Sequence, residues 1–172
     1  MKILFVCNNA YNPGNGLSVS ALNTIRQLRE RGVDARLMAV RNADPDGPQP
    51  DFPLSHFKFP IFEPIIQANG FCYAKIESDI IEKAVAWADV VHFEEALFLE
   101  DAVRKVAIKK GKACTATFHL YPHNITANLG LVKHSPVNPL LIRNWSQIVY
   151  KYCSDIQCPT AEVARYLQKN TI

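Results

Sequence analysis

Three segments of the chain carry side chains whose types and spacing could do chemistry. The first is Asn8-Asn9-Ala10-Tyr11-Asn12-Pro13-Gly14-Asn15-Gly16, between an apolar run and an amphipathic one. Glycines in such a loop let the backbone approach a phosphate closely. The helix that follows offers unpaired N–H groups and a partial positive charge. Gly14, Asn15 and Gly16 are therefore the candidates for holding a phosphorylated ligand. The second segment is Thr117-Phe118-His119, where a histidine ends an apolar stretch, with His123 and Asn124 on the adjoining loop. The third is Glu94-Glu95, directly after Val90-Val91-His92-Phe93. Consecutive strand residues point to opposite faces, so at most one of these carboxylates serves a given site. Plainer readings stand beside each: glycines that only shape a turn, a packed histidine, carboxylates near a helix start. His92, inside its run, reads as buried and hydrogen-bonded.

Other chemistries are disfavoured by what the motifs lack. A dinucleotide fingerprint needs a third glycine after Gly14-x-Gly16, where Val19 stands, and an acid after the second strand, where Val40-Arg41 stands. NAD is thus disfavoured, and NADP, with Arg41 on its extra phosphate, is weaker still. There is no P-loop lysine motif and no G-x-S-x-G elbow. His92, His119 and Glu94 could suggest a metal, but no close ligand motif such as H-E-x-x-H occurs, so no metal and no resident cofactor are expected.

These segments need a scaffold, and the pattern supplies one. Ile3 to Cys7 is a continuous apolar run, as suits a parallel strand covered on both faces. Ala21, Leu22, Ile25 and Leu28 form the apolar side of a helix that Gly32 stops. Val33 to Val40 reads as a strand. Asn42 to Pro60 holds five prolines and reads as a long surface loop, with one short strand near Phe57 to Phe62. Its neighbourhood carries Phe52, Phe57, Phe59, Phe62 and Phe71, which either pack the loop down or flank an acceptor; packing is favoured. A helix from Ser78, a strand at Asp89 to Phe93 and a helix over Leu97 to Lys110 follow, the last with Phe98, Ala102, Val106 and Ala107 inward. Next come a strand over Ala113 to His119 and a loop from Tyr121 to about Pro136. Leu141, Trp145, Ile148, Val149 and Tyr152 mark a helix, Asp155 to Cys158 a strand, and Thr160 an N-cap. Alternating strands and helices imply one α/β domain with a Rossmann-like, doubly wound, mostly parallel sheet of at least five strands. Ligands of such sheets lie beyond the carboxyl ends of the strands. That rule picks out the three segments above.

Bulk properties agree with a globular domain. The chain has 172 residues, 48% hydrophobic and 20% charged, and a formal net charge of +3. That charge is too mild to imply nucleic acid. Lys109-Lys110-Gly111-Lys112 reads as a solvated helix end. Five cysteines without a C-x-x-C pair argue against a disulfide framework and for a reducing compartment. No apolar stretch approaches the ~20 residues of a membrane span. A cytoplasmic protein is expected.

The order of these segments resembles a known family. Lys2-Ile3-Leu4-Phe5-Val6, the glycine-bearing loop, Ser18 to Leu28 and Arg31-Gly32-Val33-Asp34 are similar to the start of retaining, GT-B-fold glycosyltransferases of the family 4 type. Asp89-Val90-Val91-His92, Thr117-Phe118-His119 and Asp155-Ile156-Gln157-Cys158-Pro159-Thr160 resemble later motifs in the same order. The resemblance implies the N-terminal, acceptor-side half of a GT-B fold. A C-terminal domain, absent from these residues, would bind most of a nucleotide-sugar donor, so the chain is expected to be inactive alone. By carry-over, Gly14, Asn15 and Gly16 would lie near the donor diphosphate and His119 near the transferred sugar. Glu94, His123 and Asn124 would line the crevice. The implied partners are the nucleotide-sugar, a glycan or lipid acceptor and the second domain, with peripheral membrane contact if the acceptor is a lipid. The loop is asparagine-rich where the family carries Gly-Gly. A stand-alone flavodoxin-like or nucleotide-binding module is the alternative.

Overall fold

The apolar runs become strands because each is buried from both sides. In the computed structural model, which describes residues 1–61, 63–68, 70–119 and 137–171, a six-stranded sheet forms the centre. Its strands are β1 (Lys2–Val6), β2 (Asp34–Val40), β3 (Phe52–Leu54), β6 (Val90–Phe93), β7 (Ala113–Thr117) and β8 (Asp155–Gln157). Their order is β3-β2-β1-β6-β7-β8 and every pairing is parallel. The expected Rossmann-like sheet is therefore present. The chain moves outward from β1 in one direction, then returns past it to β6. The order reverses between β1 and β6, and ligand crevices form at such a reversal.

Period-two alternation assigns the faces. Leu4, Val6, Met38, Val91, Phe93, Cys114, Ala116 and Phe118 join one core. Against it pack α3 (Ser78–Trp87), α4 (Phe98–Lys109), α5 (Val137–Ile148) and α6 (Ala161–Thr171). Phe5, Cys7, Ala35, Leu37 and Ala39 face the other way and pack on Ile25 of α1 (Gly16–Glu30). Asn15 caps α1 by accepting the Leu17 N–H at 2.9 Å. Thr160 Oγ1 accepts the Val163 N–H at 3.2 Å at the start of α6. At the basic end of α4, Lys110 pairs with Glu82 at 2.7 Å. All five cysteines are free thiols. Among the described residues, no helix is long and apolar enough to cross a membrane.

Three expectations need correction. The stretch from Asn42 to Pro60 is not all loop. Phe52–Leu54 joins the sheet beside β2, and β4 (His56–Phe57) pairs antiparallel with β5 (Tyr73–Ala74). Pro53 is tolerated because β3 is an edge strand. A short α2 (Glu63–Ala68) lies between β4 and β5. The aromatics there pack, with Phe57 4.9 Å from Phe59 and Phe59 5.3 Å from Tyr73; Phe62 lies outside the described residues. The second correction concerns α4. Phe98 is 71% exposed, and Leu99, Glu100, Val103 and Ala107 are its buried residues. Ala107 is buried and Ala102 and Val106 pack partly buried against the core, so of the residues expected inward Phe98 alone faces out. The third is at the strand ends: β7 stops at Thr117, placing His119 two residues beyond it, and Tyr152 lies in an exposed 3₁₀ turn over Tyr150–Tyr152 after α5.

The face assignment of α4 predicts opposite outcomes at adjacent positions. Leu99→Ala should cost about 2–5 kcal/mol of unfolding free energy in urea, and Phe98→Ala less than about 0.5 kcal/mol. Equal losses would show the helix rotated from the arrangement described.

Candidate functional site

The carboxyl ends of β1, β6 and β7 meet at the reversal, and each delivers polar side chains there. The register pairs Phe5 with His92, and His92 with Thr115. Alternation then puts His92 and Glu94, with Thr115, Thr117 and His119, on the Phe5 face of the sheet. His92 lies 4.9 Å from the Phe5 ring. Its Nδ1 is 2.8 Å from Thr115 Oγ1 and its Nε2 2.9 Å from Thr117 Oγ1. Burial lowers its pKa, so it is a neutral ring whose two nitrogens are both engaged. The reading of His92 as buried and hydrogen-bonded stands.

Glu94 reaches toward His119. His119 Nε2 is 2.8 Å from Glu94 Oε2, and Glu94 Oε1 is 3.7 Å from His92 Nε2. The Glu94 side chain is only 3% exposed and that of His119 17%. If Nε2 carries the proton donated to Glu94, the histidine tautomer is fixed and Nδ1 is left as an acceptor. His119 is thus the polar partner of a buried carboxylate.

Glu95 points the other way, as alternation requires. It enters a buried cluster built on Asn8, the first residue of the glycine-bearing loop after Cys7. Asn8 donates its backbone N–H to Glu95 Oε2 at 2.7 Å and its Nδ2 to the same oxygen at 3.0 Å. The amide also donates to Glu100 at 3.1 Å. Asn8 Oδ1 accepts the Ala74 N–H at 3.0 Å. Glu100 turns back to accept the Leu97 N–H at 3.0 Å, at the start of its own helix. Burial raises the pKa of both carboxyls, and repulsion from Glu95 lifts Glu100 further. Glu95 receives two N–H bonds from Asn8, which favour its charged form, so Glu100 is the carboxyl that resists ionisation more. Sequence reasoning did not single out Asn8, Glu100, Thr115 or Thr117. The signal for the threonines was present in the Thr115-x-Thr117-x-His119 alternation.

The remaining asparagines hold the loop. Asn9 and Asn12 both donate side-chain N–H bonds to Gly70 O, at 3.2 and 2.7 Å. Asn12 Oδ1 accepts the Gly14 N–H at 3.0 Å, and Ser18 Oγ donates to Asn9 O at 2.6 Å. Asn15 is engaged in capping. Gly14 and Gly16 are exposed, and a Cβ placed on Gly16 would meet nothing within 4 Å. Two cavities adjoin the loop. One of about 420 Å³ is lined by Tyr11, Asn12, Ser18, Leu22 and Asn42 among others. The second, of about 540 Å³, extends to Arg41, Ser55 and His56. Gly14, Gly16 and His119 lie at the same sheet edge but line neither of these cavities. His123 and Asn124 lie outside the described residues. Among the described residues, no three His, Cys, Asp or Glu side chains converge to hold a metal ion.

The pattern of Glycosyltransferase Family 4 matches residues 14–171. The chain belongs to glycosyltransferase family 4. The match runs from Gly14 almost to the end of α6 and so includes Glu94, Glu95 and His119. No curated protein matches the family 4 chain. Among solved structures, a Klebsiella pneumoniae protein provisionally described as a quinone reductase is 14% identical. The alignment covers 98% of this chain and 81% of that one, with a TM-score of 0.42.

The buried pair predicts a pH dependence of stability. Both carboxyls have folded pKa values above their unfolded ones. Their contribution is therefore fully present below the ordinary carboxylate range and is lost as pH rises through the raised folded values. Wild-type unfolding free energy should fall as pH rises above the ordinary carboxylate range, and Glu100→Gln should flatten that fall. Superimposable pH profiles for the two proteins would mean that Glu100 is not the group that resists ionisation.

Proposed function

We propose that this family 4 domain is the acceptor-side half of a retaining, GT-B-type transferase. It would move a hexosyl group from a nucleotide-sugar to a glycan or lipid acceptor. The observation that carries the proposal is the His119–Glu94 pair at the strand-order reversal, at the same sheet edge as the exposed N-terminus of α1. Glycosyl transfer builds positive charge on the sugar and negative charge on the leaving phosphate. The open Gly16 at the positive end of α1 suits the phosphate, beside Gly14, whose own N–H is held by Asn12. His119, held by Glu94, suits orientation of the sugar. No metal or resident cofactor is assigned a part. Most donor contacts would come from a second α/β domain, and His123 and Asn124 would complete the crevice. A lipid acceptor would add peripheral membrane contact in the cytoplasm.

The test separates chemistry from packing. In the protein carrying its donor domain, His119→Ala should lower turnover about 10²–10³-fold. It should also lower the melting temperature, because Glu94 is left buried and unpaired. Adding Glu94→Gln should restore the melting temperature but not the turnover. Recovery of both together would make His119 a structural residue. Residues 1–172 alone should release no nucleoside diphosphate from a nucleotide-sugar, and release by that chain would overturn the division of labour.

A further inference from the structure

The cavity of about 540 Å³ at the carboxyl ends of β1, β2 and β3 is lined by none of Gly14, Gly16, Glu94 and His119. Its volume is within the usual range of small-molecule pockets. The lining carries a cation and no carboxylate: Arg41 stands at the end of β2, flanked by Tyr11, Val40, Leu54, Ser55 and His56. Arg41 is exposed, and among the described residues its guanidinium has no ion pair or hydrogen bond, although its backbone N–H is fixed to Leu54 O at 3.0 Å. Most of the other polar side chains around the cavity are engaged within the protein. Asn9 and Asn12 hold Gly70 O, Asn42 Nδ2 donates to Pro48 O at 3.1 Å, and Gln67 Nε2 donates to Glu63 at 2.9 Å. Ser55 Oγ donates to Glu77 at 3.2 Å, while His56 Nε2 lies 2.9 Å from Glu63 Oε1 without a hydrogen bond of its own. Arg41 is the one arginine or lysine of the lining. Its planar fork matches a phosphate in two-pronged geometry. Tyr11, Pro13, Val40, Leu54 and Cys72 give the rest of the wall an apolar character suited to the face of a ring or a short carbon chain.

We propose that this cavity binds a phosphate-bearing polyol or sugar, its phosphate on Arg41, and that the bound molecule is the acceptor. Binding itself stands on the cavity; the acceptor role rests on the transferase reading. Glu63, behind His56, repels a second anionic group at that end and orients the phosphate toward Arg41.

The experiment titrates the 172-residue chain with inorganic phosphate, glycerol 3-phosphate and glucose 6-phosphate, with glucose as the neutral control. Backbone amide shifts are followed by NMR. The phosphates should shift Arg41, Ser55 and Cys72, and glucose should bind at least about tenfold more weakly than glucose 6-phosphate. Arg41→Gln should weaken phosphate binding about ten- to a hundredfold with an unchanged melting temperature. Vesicles of phosphatidylglycerol distinguish the source: binding to them as well as to glycerol 3-phosphate assigns a lipid headgroup, and binding to the free compound alone assigns a soluble ligand. Shifts elsewhere, or equal affinity in Arg41→Gln, would overturn the site. Turnover by the protein carrying its donor domain on neutral acceptors only, with phosphate still bound at Arg41, would overturn the acceptor role and leave the transferase reading intact. Glycosylation of a phosphate-bearing acceptor, impaired in Arg41→Gln, supports both.

Discussion

The side chain of Asn8 joins four parts of the fold close to the reversal. It follows β1, receives the Ala74 N–H of β5, and donates to Glu95 after β6 and to Glu100 on α4. Its backbone carbonyl also accepts the Val40 N–H at the end of β2, at 3.1 Å. A side-chain amide is the one neutral group that donates and accepts in the directions needed here. An aspartate at this position would add a third acid and withdraw the donor. An apolar residue would remove the side-chain donor that both carboxyls share and leave the Ala74 N–H unsatisfied, with only the backbone N–H groups of residues 8 and 97 still serving Glu95 and Glu100. The carboxyl edge of the sheet is therefore fixed by a polar network rather than by apolar packing. It can be fixed that way because every member of the network has partners.

The same geometry divides two adjacent acids. Glu94 and Glu95 follow one strand, yet one meets His119 and the other meets Asn8. Strand alternation is sufficient to explain the division. Its consequence is that the carboxyl facing the crevice is electrically distinct from the carboxyl under the loop. The polar character of the open side comes from Glu94, His119 and the two threonines that hold His92. The site and the stability of the edge are thus linked through one peptide bond, between Glu94 and Glu95.

Much of this was legible in the sequence and some of it was not, for identifiable reasons. Continuous apolar runs gave the parallel strands, and the strand-end rule directed attention to the loop after β1 and to Glu94 and His119. What failed was local. Five prolines hid β3, because an edge strand needs only part of its N–H groups and Pro53 can sit there. Phe98 was placed inward and the burial of Glu100 was not foreseen, because its partner Asn8 lies 92 residues away in sequence. No short-range pattern encodes such a partner. The contact of His119 with Glu94 likewise depends on β6 and β7 being neighbours, which the order of strands alone does not state.

The loop after β1 is rich in asparagine, and its contacts give that composition a physical meaning. Glycines let a backbone approach an anion but leave the loop to find its shape afresh each time. Here Asn9 and Asn12 both grip Gly70 O, at the end of α2, and Asn15 caps α1. Gly70 has a φ of 72°, and a Cβ there would lie 2.5 Å from Asn12 Nδ2. Only glycine satisfies both the backbone conformation and the close approach. The loop therefore obtains its shape from side-chain amides anchored on α2, while Gly14 and Gly16 keep the start of α1 unobstructed. Rigidity comes from the asparagines and access from the two glycines. A chain divided this way needs fewer glycines for a phosphate to reach the helix N-terminus, because the loop is already held in place before any ligand arrives.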